Sequence, residues 1–217
     1  MDARKYLAEL IGTFILVVIG SMTIVAAKAT GAPILIAVPF GFGLGLLAAI
    51  QAAGYVSGGH FNPAVTLGAF LDGRIDAMNA VGYVIAQVIG ALAASGVVLL
   101  VADQLAVRDT ASGFPTDRGV QAFGVEILLT AIFLLVILTV TKRSPNHAGF
   151  VIPLTLTVIH FAGIPFSGAS VNPARSLAPA IVGGTLDSTI LVWIAGPLIG
   201  AAIGWAVYRV LEDRSIA

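Results

Sequence analysis

The chain has 217 residues, 58% of them hydrophobic and only 10% charged, with a mean hydropathy of +1.02. A soluble domain carries ~25% charged residues, so this composition excludes one and points to a single integral membrane domain over 1–217. Formal net charge is zero and cysteine is absent, which leaves no bulk attraction for nucleic acid, no disulfide and no thiolate metal site.

Six apolar runs are long enough to cross a ~30 Å hydrocarbon core. They fall near Tyr6–Ala27, Pro33–Gly54, Ala77–Ala102, Gly119–Thr141, Gly149–Pro165 and Ser188–Leu211. Met1 to Lys5 is charged like the start of a signal peptide. The first run is nonetheless long enough to span, and no small-residue cleavage site follows, so it reads as an uncleaved helix. Two shorter runs interrupt the series. One follows Asn62-Pro63-Ala64 and reaches about Leu71; the other follows Asn172-Pro173-Ala174 and reaches about Val182. Asn is a favoured helix cap and Pro suits the first helical position, so each tripeptide opens a helix whose N–H groups point out of its start. Ten helical residues rise ~15 Å, half of the core, so two such helices meeting start to start would cross one bilayer.

The pattern is three spans and a half-span, twice, with repeats over about 1–102 and 119–211. Gly58–Val65 is echoed by Gly168–Arg175, 110 positions later, and Glu9-x-x-x-Thr13 by Glu126-x-x-x-Thr130. An odd number of spans per repeat inserts the second half upside down. Inverted repeats of this kind place a site at the midplane, between the half-helix starts. Lys and Arg in short loops set the orientation. Arg4, Lys5, Arg74, Lys142, Arg143, Arg209 and Arg214 outnumber Lys28, Arg108 and Arg118 on the other side, which predicts cytoplasmic N- and C-termini. The loop Asp103 to Arg118 reads as a surface loop without chemistry. Gly196, Gly200 and Gly204, and likewise Gly82, Ala86 and Gly90, form small-residue ridges for close helix packing.

Non-helical backbone at membrane depth is tolerated only inside protein or beside water. The carbonyls of Ser57–Phe61 and Gly168–Val171 are therefore a candidate ladder of acceptors, with Asn62 and Asn172 as donors at the midplane. Two helix starts add a positive potential there, roughly half a charge each, which repels a cation and turns a neutral dipole. Arg175 falls ~4.5 Å beyond Asn172 along its helix. A buried Arg is costly unless solvated or paired, so it reads as a pore residue. Rise per residue places Phe42 and His160 in the same layer as Arg175. Glu9 and Glu126 lie inside spans, where they serve either as a proton relay or as acceptors for the N–H groups of an entering loop. His60 lines the inner mouth or pins its loop. His147 falls in a solvated loop beside Lys142 and Arg143.

Ser57-Gly58-Gly59-His60-Phe61-Asn62-Pro63-Ala64-Val65-Thr66 and Asn172-Pro173-Ala174-Arg175-Ser176 resemble the paired motifs of the aquaporin (major intrinsic protein) family, and the resemblance covers nearly the whole chain. It implies an all-α membrane fold of six transmembrane helices plus two re-entrant half-helices in an inverted repeat, as a homotetramer with one pore per subunit. It also implies a selectivity ring on Phe42, His160, Ala169 and Arg175. Phe with His and Arg looks like the water-selective branch. The glycerol-conducting branch typically has Trp and Gly at the first two positions and Asp where this chain has Ser176. Ala169 departs from the usual Cys or Thr of water channels and makes the ring slightly wider.

The expectation is a passive water channel in the cell membrane, with water in single file and no cofactor or metal. Rival readings are a channel of the same fold for glycerol, ammonia or another small neutral solute, and a transporter with the Glu pair as proton relay.

Overall fold

A computed structural model describes residues 2–115 and 117–212, all of them helix, turn or irregular chain. Met1 and Arg214, both used in the sequence reading, lie outside the described residues. In chain order the helices are α1 (Ala3–Thr30), α2 (Ile34–Ser57), α3 (Pro63–Leu71), α4 (Ala77–Val101), α5 (Gln104–Asp109), α6 (Gly119–Arg143), α7 (Pro145–Ser167), α8 (Pro173–Gly183) and α9 (Ile190–Leu211). Six of them, α1, α2, α4, α6, α7 and α9, are long and apolar enough to cross a membrane. The protein is therefore an integral membrane protein. Val81, Ile85, Leu154 and Val158 are among its exposed apolar side chains, as a hydrocarbon environment requires.

The spans differ from expectation at their ends, each for a local reason. Helix α1 starts earlier because Asp2 accepts from the backbone N–H of Arg4, and it ends at left-handed Gly31. Helix α2 does not stop at Gly54. It continues through a π-helical turn at Ile50–Gly54 and leaves the helix at Gly58, where φ reaches 90°. Helix α7 starts at Pro145, a residue preorganised for the first helical position. His147, expected in a loop, is consequently exposed on its first turn. Helix α9 starts at Ile190 because the Asp187 carboxylate holds Thr189 by its backbone N–H and its hydroxyl.

Helices pair closely where side chains are missing. At Gly90 a Cβ would sit 2.3 Å from the Leu10 carbonyl oxygen, so α4 lies directly on α1. At Gly200 and Gly204 it would sit 2.4 Å from the carbonyl oxygens of Ile127 and Ala131, which seats α9 on α6. Both glycine ridges are thus used within the chain.

Polar contacts mark the two ends of the bundle. On the terminal face Tyr6 donates to Asn79 at 2.7 Å, and Arg209 lies 3.7 Å from Asp72. On the opposite face Lys28 pairs with Asp109 at 2.6 Å, and Arg108 Nε donates to the Gly183 carbonyl at 2.8 Å. Helix α3 therefore ends at the terminal face and α8 at the opposite one, and their starts meet in between.

Gly90→Ala forces backbone against backbone, and such overpacking costs about 1–3 kcal/mol. Its thermal unfolding midpoint in detergent is expected to fall. Gly96→Ala in the same helix, where a Cβ meets nothing within 4 Å, leaves the midpoint unchanged or raises it.

Candidate functional site

The two loops that lead into α3 and α8 share one backbone shape. Gly58, Gly59 and Phe61 have φ of 90°, 69° and 49°; Gly168, Ala169 and Val171 have 77°, 48° and 46°. Three of these are not glycine, and Val171 is β-branched, so the left-handed region is strained there. Buried carboxylates hold it. Glu9 Oε1 accepts from the Ser57 hydroxyl at 2.7 Å and the His60 N–H at 2.9 Å, and Oε2 accepts from the Phe61 N–H and Gln87 Nε2, both at 2.7 Å. Glu126 repeats this with the Ser167 hydroxyl at 2.7 Å, Ser170 N–H at 2.9 Å and Val171 N–H at 2.8 Å. Both carboxylates are fully buried and stand behind the loops. Every contact is one an acceptor-only group makes, an arrangement that fits loop support and gives a proton relay no exit.

Each loop ends in an Asn that caps a helix and reaches across to the other loop. Asn62 Oδ1 accepts from the Ala64 N–H at 2.8 Å, and Asn172 Oδ1 from the N–H groups of Ala174 at 3.1 Å and Arg175 at 3.3 Å. With the oxygens committed to the helices, the amide nitrogens must face away. Asn62 Nδ2 donates to the Val171 carbonyl at 2.7 Å and Asn172 Nδ2 to the Phe61 carbonyl at 3.0 Å. One N–H of each amide is without a partner among the described residues, and both residues border a cavity of about 350 Å³. These cross-bonds shorten the expected carbonyl ladder. Phe61 and Val171 carbonyls are occupied by the Asn amides, and that of Ser57 by the Tyr83 hydroxyl at 2.8 Å. The carbonyls of residues 58–60 and 168–170 accept no hydrogen bond among the described residues.

The cavity runs from Arg74 and Thr141 at the terminal face, past His60 and the Asn pair, to Phe42, His160 and Arg175. Leu16, Leu46, Phe133, Ile137 and Leu156 form its apolar wall. At its far end the Phe42 and His160 rings stack with centroids 4.9 Å apart, and Arg175 Cζ lies 4.8 Å from the Phe42 centroid. The structure thus brings these three together. Gly20 sets the Phe42 position, since a Cβ there would meet the ring at 2.3 Å. His160 Nδ1 lies 2.9 Å from the Leu156 carbonyl, which can only accept. The neutral ring therefore carries its proton on Nδ1 and offers Nε2 as an acceptor. Neither His160 Nε2 nor Arg175 Nε has a protein partner among the described residues, so an acceptor and at least one donor are left unused beside the cavity. Ala169 lies in the adjoining loop but is fully buried and does not line the cavity. His60 has both positions the sequence left open. It borders the cavity, and its Nδ1 sits 3.1 Å from Thr66 Oγ1.

Several partners were not legible in the sequence. Tyr83 and Trp193, 110 positions apart, donate to the carbonyls of Ser57 and Ser167, both at 2.8 Å. The loop expected to carry no chemistry contains α5 and delivers Ser112 to Arg175, with Nη1 to Oγ at 2.5 Å. The matched 110-residue offset could have found Tyr83, Trp193, Ser57 and Ser167; no local signal marks Ser112.

Residues 1–208 match the family model described as Major intrinsic protein. The chain is 42% identical to the glycerol uptake facilitator protein-like 6 of Lactiplantibacillus plantarum, over 97% of this chain and 99% of that one. It is also 42% identical to the Aquaporin Z of Photorhabdus laumondii, covering 96% and 97%, and 40% identical to that of Rhodopseudomonas palustris, covering 99% and 95%. In fold it is similar to the aquaglyceroporin of Plasmodium falciparum, with a TM-score of 0.79, 24% identity and coverage of 99% and 97%.

Glu9→Gln replaces an acceptor by a donor amid four donors and strands at least one of them. A buried unpaired donor costs about 1–3 kcal/mol. The unfolding midpoint is expected to drop, and to drop further than in Glu126→Gln, which faces three donors. Unchanged stability in Glu9→Gln would count against the loop-support role.

Proposed function

Because the chain belongs to the major intrinsic protein family, whose members are membrane channels, we propose that it is a passive, water-selective channel. The observation that carries the reading is the constriction of Phe42, His160 and Arg175. Phe42 limits the width. Arg175 Nε–H and His160 Nε2 give a water one donor and one acceptor in place of its hydrogen bonds to bulk. The free N–H groups of Asn62 and Asn172 donate to the central water, which turns its oxygen toward the midplane. Water then moves in single file from one unused loop carbonyl to the next. Cations are opposed by Arg175 and by the positive ends of two helices. The water oriented by the Asn pair donates outward on both sides, which disfavours proton hopping through it.

The halves 1–102 and 119–211 work as inverted repeats of one channel domain. The channel sits in the cell membrane as a homotetramer, with the termini cytoplasmic and lipid around it. Charge supports the orientation, since Arg4, Lys5, Arg74, Lys142, Arg143 and Arg209 all lie on the terminal face or in the segments beside it. A second reading has glycerol as permeant. It is favoured by the name of the Lactiplantibacillus plantarum relative.

Proteoliposomes carrying the protein are expected to shrink fast after an osmotic step with an impermeant osmolyte, with a low activation energy. With glycerol as osmolyte, they should not reswell faster than empty vesicles. Accelerated reswelling would move the function to glycerol conduction, and no flux of either solute in folded protein would overturn the channel reading. Replacing His160 and Arg175 together by Ala removes two of the three constricting groups. Glycerol permeability is then expected to rise at least ~10-fold over wild type, the scale of losing ~1.4 kcal/mol of discrimination.

A further inference from the structure

Arg175 is buried without a carboxylate in ion-pair contact among the described residues. Its guanidinium has one hydrogen-bonded protein partner there, the Ser112 hydroxyl, 2.5 Å from Nη1. That hydroxyl continues into a chain. Ser112 Oγ lies 2.6 Å from Ser176 Oγ, Ser176 Oγ contacts Ser170 Oγ, and Ser170 Oγ donates to the Asn172 carbonyl at 3.0 Å. The direction of the chain follows from its ends. A guanidinium only donates, a carbonyl only accepts, and each hydroxyl has one proton to give. Each serine therefore passes its proton away from Arg175, and Ser112 turns a lone pair toward the cation. The loop that carries Ser112 is itself seated on the re-entrant loop: a Cβ at Gly168 would lie 3.2 Å from the Gly113 nitrogen.

We propose that Ser112 is a positioning residue of the filter. Its hydroxyl, oriented by Ser176 and Ser170, holds the Arg175 guanidinium against the channel wall. The proposal rests on the reading of this cavity as a permeation path. A guanidinium released from Ser112 leaves that wall and extends across the lumen. The outer loop thus sets the filter, although it contributes nothing to the ring itself.

The test compares wild type, Ser112→Ala, Ser112→Thr, Arg175→Ala and the double variant Ser112→Ala/Arg175→Ala in proteoliposomes, with water and with glycerol. For whichever solute the wild type conducts, Ser112→Ala is expected to lower permeability by roughly 3- to 10-fold, the scale of one ordinary net hydrogen bond. Ser112→Thr restores it, and Ser112→Ala has no effect in the Arg175→Ala background. An equal loss in both backgrounds, or no loss in either, overturns the proposal. If Ser112→Ala does not fold, Ser176→Ala, which removes the acceptor for the Ser112 proton, gives the same pattern with a smaller loss. A second readout does not depend on conduction. The Arg175 guanidinium N–H signals in micelles, assigned by their loss in Arg175→Ala, should exchange faster with solvent in the serine variant. Unchanged exchange overturns the latch even in a protein that conducts nothing. Absent flux in wild type with faster exchange in the variant would instead sink the channel reading alone.

Discussion

A peptide that leaves the helix in the middle of a membrane must find partners for its N–H groups inside the protein. In this chain two buried carboxylates supply them. Glu9 and Glu126 each take two consecutive loop N–H groups and one serine hydroxyl. Because the N–H groups point back to the carboxylates, the carbonyls of the same peptides point the other way, and Gly59, His60 and Ser170 border the cavity. The left-handed residues Phe61, Ala169 and Val171 are the conformational cost of that arrangement. A row of acceptors on one side of the path and hydrocarbon on the other follows from a single constraint on backbone hydrogen bonding.

The two loops are alike but not identical, and the differences are physical. Gln87 gives Glu9 a fourth donor, and the residue at the matching offset near Glu126 is Pro197, which has none to give. Tyr83 is matched by Trp193, two different rings that each lend one donor to a serine carbonyl. Gly59 is matched by Ala169, which adopts the same left-handed turn with a Cβ. That methyl fits because α7 has Gly163 opposite it, where a Cβ would come within 2.9 Å of Ala169 Cβ. What the two halves share, Gln87 aside, is the set of donors and acceptors, on scaffolds of different residues.

The parts of the fold readable from the sequence were those governed by local chemistry. Six long apolar runs, two Asn-Pro helix starts and a repeated offset were enough for the spans, the half-helices and the residues around the midplane. Phe42, His160 and Arg175 were placed in one layer by counting helical rise, and their rings and guanidinium do meet. Contacts decided by distant packing were not readable. The glycine ridges signal close packing without naming a partner, and α1 and α6 of the same chain turn out to be their partners. Ser112 sits in a polar loop with no periodicity, so nothing local connects it to Arg175. The continuation of α2 past Gly54 depends on a π-helical turn, which no residue spacing announces.

Two arginines border the same cavity, and their surroundings give them different properties. Arg74 pairs with Asp72 at 2.7 Å and also donates to Thr141 at 2.6 Å and to the Leu138 carbonyl at 3.0 Å. Its charge is balanced and its fork is filled, so it fastens the end of α3 to α6. Among the described residues Arg175 has one hydroxyl, the face of Phe42 and an Nε–H with no protein partner. It also lies in the first turn of α8, where the helix dipole opposes a positive charge. The Phe42 face attracts the cation, but no carboxylate lies in ion-pair contact with it among the described residues. A buried charge set against its own helix and left partly unpaired keeps its field and its hydrogen-bonding capacity for what passes through the cavity. For the proposed channel, that placement is the strongest physical reason to locate selectivity at this level of the path and not at the terminal mouth.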